Sequence, residues 1–323
     1  MNGKIAFEEH WSMPETLEDA KGFVGGSASW DTFQRRILDL GDERLREMDK
    51  HGIEFQIVSL NSPAVQSVLQ TDKAIDLARR SNDKLAELVA KHPDRFAGFA
   101  ALPMQDPQAA ARELARCVKD FGFKGALVNG FSQKDKPENM LYYDAPEYRG
   151  FWGEVEKLDV PFYMHPRGNM EKSYAGHPWL TSSPWGFAAD TALHALRLCG
   201  SGLFDEHPRL KILLGHLGEG IPFFLWRIDA RMTFSPRGYT GKKLLGEYFL
   251  QNFMITTSGF FCQPSFQCAL AMVGVDRMMF SVDYPFEETA DGANWFDALQ
   301  MAPSDKLKIA RTNAIKLFKL NLK

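Results

Sequence analysis

The sequence predicts an α/β protein, a single (β/α)8 TIM-type barrel domain over residues 1–323, on three observations. Short apolar runs recur along the chain, helical patterns fill the spaces between them, and the long insertions follow the C-terminal ends of the runs. The runs are Ile5–Glu8, Phe55–Leu60, Phe96–Leu102, Ala126–Asn129, Val160–His165, Lys211–His216, Met254–Ser258 and Met278–Asp283. They are nearly unbroken in hydrophobicity rather than alternating, as parallel strands buried on both faces require.

The intervening helices carry their own start and stop signals. Asp42–His51 opens with an acid and stops before Gly52; Pro107–Phe121 opens on proline and stops before Gly122. Thr71–Lys91 places Ile75, Ala78, Leu85, Leu88 and Val89 at helical spacing. Pro146–Leu158, Asp190–Leu198, a segment through Trp226 and Arg227, Pro264–Val273 and Ser304–Leu317 follow the same logic. Strands alternating with helices in this number fit a closed barrel better than an open doubly wound sheet. Loops with long, aromatic-rich sequence occupy Trp11–Gly41, Gly130–Ala145, Pro166–Ala189 and Pro285–Met301. Barrels of this kind build their active sites on that face. The aromatic content predicts either a wall for a flat apolar ligand or a subunit contact.

Composition narrows the function. With a net charge of −3 and interspersed signs, the chain has no footprint for nucleic acid or an anionic membrane surface. No segment approaches the roughly 20 apolar residues of a membrane span. The N-terminal residues lack the pattern of a secretory leader. Cys117, Cys199, Cys262 and Cys268 show no CxxC spacing, and Cys117 and Cys199 fall within helices, so reduced thiols are expected. A cytoplasmic enzyme is the expectation. GxSxG, P-loop and GxGxxG motifs are absent, which removes support for acyl-serine, nucleotide and dinucleotide chemistry.

The strand ends carry the chemistry. The first run ends in Glu8-Glu9-His10, the fifth in His165, the sixth in His216 and the eighth in Asp283. Residues two apart on a strand share a face, so Glu8 and His10 point inward together and Glu9 turns away. Glu8, His10, His165 and Asp283 then form a mixed nitrogen and oxygen donor set for one divalent ion, zinc or manganese, with magnesium as a further option. The fourth run ends in Asn129 and offers no lysine to bridge a second ion, so the site is expected to be mononuclear. His216 is followed by Glu219, which is spaced to orient the imidazole, while Gly215 and Gly218 allow close backbone approach to a ligand. Arg227 reaches the pocket or pairs with Asp229. His51, His92, His177, His194 and His207 sit at helix ends, in a loop or within a helix, and are expected to be structural.

These residues resemble a known family. Glu8-x-His10, Met164-His165-Pro166-Arg167, Leu214–Glu219 and Phe280–Glu287 are similar to motifs of the amidohydrolase-superfamily decarboxylases of hydroxybenzoates, and the resemblance extends to Asn313–Leu320. Leu60–Gln66 and Asn129–Gln133 point to the members acting on 2,6-dihydroxybenzoate (γ-resorcylate), with 2,3-dihydroxybenzoate or salicylate as the alternatives. Glu at position 8, where the superfamily's hydrolases commonly carry His, argues against a lactonase or amidase. The resemblance implies that Glu8, His10, His165 and Asp283 hold the metal and that His216 and Glu219 lie beside the substrate. It also implies that Phe23, Asn129, Phe187, Arg227 and Phe286 surround the ring, with Ser62 standing where alanine is expected. A homotetramer is implied as well.

The chemistry expected is non-oxidative and reversible, with no organic cofactor. Direct loss of CO2 would leave an aryl carbanion. Protonating the carboxylate-bearing carbon first avoids it, because an ortho hydroxyl feeds electrons into the ring and the substrate serves as its own electron reservoir. Asp283 is the expected proton donor.

Overall fold

The computed structural model describes residues 1–23, 30–168 and 174–322, apart from the Phe23 side chain. Among the described residues ten strands follow one another: β1 (Lys4–Trp11), β2 (Ile53–Leu60), β3 (Phe96–Gly98), β4 (Ala126–Asn129), β5 (Ser132–Lys134), β6 (Lys136–Leu141), β7 (Phe162–His165), β8 (Ile212–Leu214), β9 (Phe253–Thr256) and β10 (Met278–Met279). β1, β2 and β3 pair in that order, and β4, β7, β8, β9 and β10 pair in theirs. Every pairing within these two sheets is parallel.

Two seams close the barrel. Between β3 and β4, Lys124 N donates to Gly98 O (2.9 Å), Ala100 N to Gly125 O (2.9 Å) and Leu127 N to Ala100 O (3.2 Å). Between the last strand and the first, Asp283 N donates to Glu8 O (2.9 Å) and His10 N to Tyr284 O (2.7 Å). The second seam places two of the expected metal ligands, Glu8 and Asp283, side by side.

The last strand is shorter than the run Met278–Asp283 predicted. Beyond Met279 the Ser281 hydroxyl takes over, accepting from Phe7 N (2.9 Å) and Glu8 N (3.2 Å) where a backbone carbonyl would serve in a regular ladder. The C-terminal helix departs from the expected Ser304–Leu317 for a related reason. It runs as Pro303–Leu307, a π turn over Lys308–Thr312, and Asn313–Phe318. The Ile309 carbonyl in that turn accepts the Phe280 N–H (2.9 Å).

Other helices match in place more than in detail. Pro107–Phe121 is capped by Asp106, which accepts from Gln108 N (2.9 Å) and Ala109 N (3.0 Å), and ends at left-handed Gly122. Asp42–Lys50 is not capped by its own acid; Asp39 accepts from Gly41 N (3.0 Å) and Arg44 N (2.8 Å) instead. Gly186–Gly200 extends the predicted Asp190–Leu198 at both ends. The insertion after β4 contains an antiparallel hairpin, β5 with β6, turned at Asp135 with φ +64°. Periodicity did not reveal it, because three- and six-residue polar strands carry little hydrophobic signal.

The lumen is stratified. Its floor is apolar: Ile5, Phe7, Phe55, Ile57, Phe99, Leu127, Tyr163, Leu213 and Met279 pack with Leu317 and Phe318 of the C-terminal helix. The Phe7 and Phe318 rings meet edge to face at 4.8 Å. The polar strand ends lie at the opposite mouth. All four cysteines are free; Cys117 and Cys199 are buried as expected, whereas Cys262 is exposed. No described helix is long and apolar enough to cross a membrane.

Candidate metal centre and active site

Glu8, His10, His165 and Asp283 each offer one donor atom, and these atoms all lie within 4.8 Å of one another. The fit to a divalent ion is read from the protein's own groups. Glu8 Oε2 is saturated, accepting from Thr256 Oγ1 (3.0 Å) and from the hydroxyls of Tyr163 and Ser258. Glu8 Oε1 is fully buried with no hydrogen-bond donor among the described residues; the imidazole nitrogens His165 Nε2 and His216 Nε2 stand 3.7 and 3.9 Å away. His10 Nδ1 is held by Ser59 Oγ (3.2 Å), which leaves Nε2 facing Asp283 Oδ1 at 2.9 Å. A buried carboxylate oxygen without a donor, beside a His10 nitrogen oriented from behind by Ser59, is the arrangement a divalent cation completes.

Backbone geometry aims these groups. Glu8 and His10 share the inner face of β1, as predicted, but Glu9 does not reach solvent. It is buried behind the barrel wall, where Oε1 accepts Val282 N (2.9 Å) and burial pushes its carboxyl up to about 8. Arg44, also buried, donates to the His10 carbonyl and stacks 4.6 Å over the Tyr284 ring. His216 lies beyond β8 rather than on it, in a left-handed turn with φ +48°, and its N–H donates to Ser258 Oγ (3.2 Å). Gly215 is required there: a Cβ would stand 2.5 Å from Glu8 Oε1. Gly218 does not approach a ligand as expected; a Cβ there would crowd Ile255 and Pro222.

Electrostatics separate the groups. Burial, with a smaller contribution from Asp283, pushes the Glu8 carboxyl up to about 8, against the pull of His216. Burial opposes the charge on His216, yet Glu219, Glu8 and Asp283 together hold its pKa well above the ordinary histidine value. Its Nδ1 is 2.7 Å from Glu219 Oε1, and its Nε2 is 3.6 Å from Asp283 Oδ2. Burial likewise works against ionisation of Asp283, but His10 and His216 outweigh it and hold its carboxyl below the usual range. His165 is driven well below its usual value by burial and by His10, so it stays neutral as a ligand must.

Above the donors lies a cavity of about 320 Å³, lined among others by Ser62, His165, Phe187, His216, Glu219, Gly259, Asp283, Phe286 and Glu287. Phe286 also packs its edge on the His10 ring at 5.5 Å. Ser62 donates to Pro166 O (3.1 Å). Asn129 is paired with His165 across β4 and β7 but does not line this cavity; its Nδ2 donates to Asn61 O (3.2 Å). Arg227 is exposed and lines an adjoining groove with His216, Glu219 and Phe260; Asp229 accepts from Gly246 N rather than pairing with it. The Phe23 side chain lies outside the described residues.

Sequence reasoning missed Tyr163, Thr256, Ser258 and Ser59. Tyr163 was findable, since it stands two residues before His165 and so shares its inward face. Glu287 was also missed as a lining residue. Burial pushes its carboxyl up to about 7, with Asp283 adding to the rise and His216 opposing it.

A closed parallel barrel with Glu-x-His, His and Asp at its mouth defines a class, and the chain belongs to it: the amidohydrolase family matches residues 30–320. Within the family, the chain is 56% identical over 326 residues to the gamma-resorcylate decarboxylase of Rhizobium sp. (strain MTP-10005), covering 99% of both chains. It superposes with a TM-score of 0.96 on the structure of a 2,6-dihydroxybenzoate decarboxylase complexed with 2,6-dihydroxybenzoate, at 56% identity and 99% and 100% coverage. The dihydroxybenzoic acid decarboxylase of Polaromonas sp. JS666, with bound manganese and the inhibitor 2-nitroresorcinol, gives a TM-score of 0.96 at 52% identity, covering 100% of this chain and 98% of that one.

Proposed function

We propose that this protein is a metal-dependent carboxy-lyase that converts 2,6-dihydroxybenzoate to resorcinol and CO2, reversibly and without redox chemistry. The observation that carries the proposal is the donor cluster of Glu8, His10, His165 and Asp283 opening into a cavity walled by Phe187 and Phe286. The full-length likeness to gamma-resorcylate decarboxylases supports the choice of substrate. A single divalent ion, manganese by analogy with the Polaromonas relative, would be held by those four residues and would supply Lewis-acid chemistry at the substrate.

The protein's own groups then divide the work. Asp283 rests ionised, held so by His10 and His216. In that state it takes the proton of the ortho hydroxyl and returns it to the ring carbon that bears the carboxylate. The bond from that carbon to the carboxylate then breaks, its electron pair restores the aromatic ring, CO2 leaves, and the phenolate that remains takes one proton from water to give resorcinol. His216, cationic and fixed by Glu219 at 2.7 Å, donates to a ring oxygen and balances the phenolate. Phe187 and Phe286 hold the ring and exclude water, and Ser62 lines the same wall. Phe23, Asn129 and Arg227 belong to the proposal as flanking residues. Asn129 acts through the Asn61 loop and Arg227 from the adjoining groove.

Residues 1–323 are read as one domain, since its first and last strands hydrogen-bond to each other. The protein is placed in the cytoplasm as a homo-oligomer, a tetramer. The helix Ile221–Phe234 leaves Phe223, Trp226 and Phe234 more than 70% exposed, an apolar face of the kind a second copy covers. Trp226→Glu should reduce the mass seen by light scattering; an unchanged mass removes this face from the assembly.

The decisive experiment loads the protein with manganese and follows CO2 release from 2,6-dihydroxybenzoate, 2,3-dihydroxybenzoate and salicylate, beside a lactone panel. Preference for 2,6-dihydroxybenzoate is expected. Hydrolysis of a lactone without CO2 release would overturn the proposal.

A further inference from the structure

Three carboxylates line the cavity, and they are not equivalent. Glu219 is bound to His216 Nδ1, and Asp283 faces His10 and His216. Glu287 has no side-chain hydrogen bond or ion pair among the described residues, although it is only partly exposed and lines the same space. Its position is set by the chain. Asp283, at φ +82°, turns the backbone so that Phe286 N and Glu287 N both donate to Asp283 O, at 2.9 and 3.1 Å. That turn folds Glu287 back within electrostatic reach of Asp283 and His216.

Among the described residues, the lining contains no lysine or arginine. A site that takes an aromatic carboxylate without a basic side chain can neutralise one anionic group at its donor cluster and at His216. A second anionic group on the ring has no partner and meets an unpaired carboxylate. A ring hydroxyl or hydrogen at the same place meets a hydrogen-bond acceptor or nothing. Discrimination of this kind works by repelling the wrong ligand rather than by gripping the right one.

We propose that Glu287 is a specificity-determining residue that bars ring substrates carrying a second carboxylate, restricting the site to hydroxybenzoate monocarboxylates. The inference rests on the decarboxylase reading above for the identity of the substrates, but not for the repulsion itself.

The test uses the manganese-loaded full chain at pH 8 in three forms: wild type, Glu287→Gln and Glu287→Asp. The probes are 2,6-dihydroxybenzoate and three hydroxydicarboxylates, 2-hydroxyisophthalate, 4-hydroxyisophthalate and 2-hydroxyterephthalate. These place the second carboxylate at each ring position except the one occupied by the second hydroxyl. Glu287→Gln should raise kcat/KM for at least one dicarboxylate, relative to 2,6-dihydroxybenzoate, by ~10-fold or more, as removal of a like-charge contact predicts. Glu287→Asp, which keeps the charge, should stay close to wild type. Binding of isophthalate against benzoate, neither of which has an ortho hydroxyl, is measured by calorimetry in parallel, and the same shift toward the dianion is expected in Glu287→Gln. Unchanged ratios in both assays would overturn the role of Glu287. If the wild type releases no CO2 from 2,6-dihydroxybenzoate, the decarboxylase reading fails, and the isophthalate to benzoate ratio alone decides Glu287.

Discussion

The two ends of the barrel lumen are built on opposite terms. At the floor, Phe7 and Phe99 pack on Phe318, Tyr163 packs on both of them, and the C-terminal helix seals the base. At the mouth, on the same strands, Glu8, His10, His165 and Asp283 crowd their charges and lone pairs into one small volume. β1 shows the contrast between consecutive residues, Phe7 belonging to the apolar floor and Glu8, a fully buried carboxylate, to the polar mouth. Burying an ionisable group without its partner is unfavourable, so the mouth draws on stability that the floor supplies. Changes at the mouth should therefore affect chemistry and leave folding intact, and changes at the floor should do the reverse.

The largest expected effect is at Asp283. Asparagine tolerates the left-handed φ of +82° at this position, so Asp283→Asn should keep the fold while kcat falls by ~10²–10⁴-fold, the usual contribution of a positioned acid or base. Metal content measured on the same sample separates loss of the ion from loss of the proton carrier; near-normal turnover would remove Asp283 from the mechanism. Next comes the floor. Phe318→Ala should destabilise by about 3–5 kcal/mol in denaturant titration, with kcat/KM near the wild-type value wherever the protein remains folded. A loss of activity without a loss of stability would break the division between the two ends.

A smaller effect tests how the mouth is held. Removing the hydroxyl behind His10 with Ser59→Ala should weaken metal binding by ~10–100-fold in a chelator competition, while the melting temperature of the metal-free protein barely moves. Equal metal affinity in the two forms would show that Ser59 does not orient the ligand.

The smallest concerns a buried histidine that belongs to neither end. His194 Nε2 accepts Tyr143 N at 2.9 Å, and burial followed by Arg197 lowers its pKa from 6.5 to about 3. The unfolded chain binds this proton near pH 6.5 and the folded chain only near 3, so the unfolded state holds more protons in between. Stability from this group is complete above pH 6.5 and falls as pH drops toward 3. His194→Gln, which does not titrate, should show a shallower decline in melting temperature between pH 7 and pH 5; parallel declines would assign the acid sensitivity elsewhere.

Much of this was legible in the chain. A catalytic barrel leaves its ligands at strand ends, where sequence position nearly fixes spatial position. Glu8, His10 and His165 could therefore be placed from strand periodicity, and Asp283 from the end of the last run. His194 could be set aside because it lies in a helix rather than at a strand end. Side chains that act across strands were not legible in the same way. Thr256 and Ser258 bind Glu8 from β9 and the turn after it, about 250 residues away, and no local pattern announces a hydroxyl with that task.

The alternation of apolar runs and helices, and the residue types at the strand ends, were thus determined by the sequence alone, because both follow from local periodicity. The tertiary structure decided the rest. It buried Glu9 against Val282 rather than exposing it, since the wall behind β1 is packed and the backbone after β10 needed an acceptor. It put Arg227 in the neighbouring groove, because Arg227 lies on the exposed side of the helix Ile221–Phe234. It left Glu287 on the cavity wall without a hydrogen bond or ion pair among the described residues, because the turn closed by the Asp283 carbonyl folds it back there. Pairing and burial depend on what the fold brings to each group from distant segments, and a one-dimensional pattern holds no record of that.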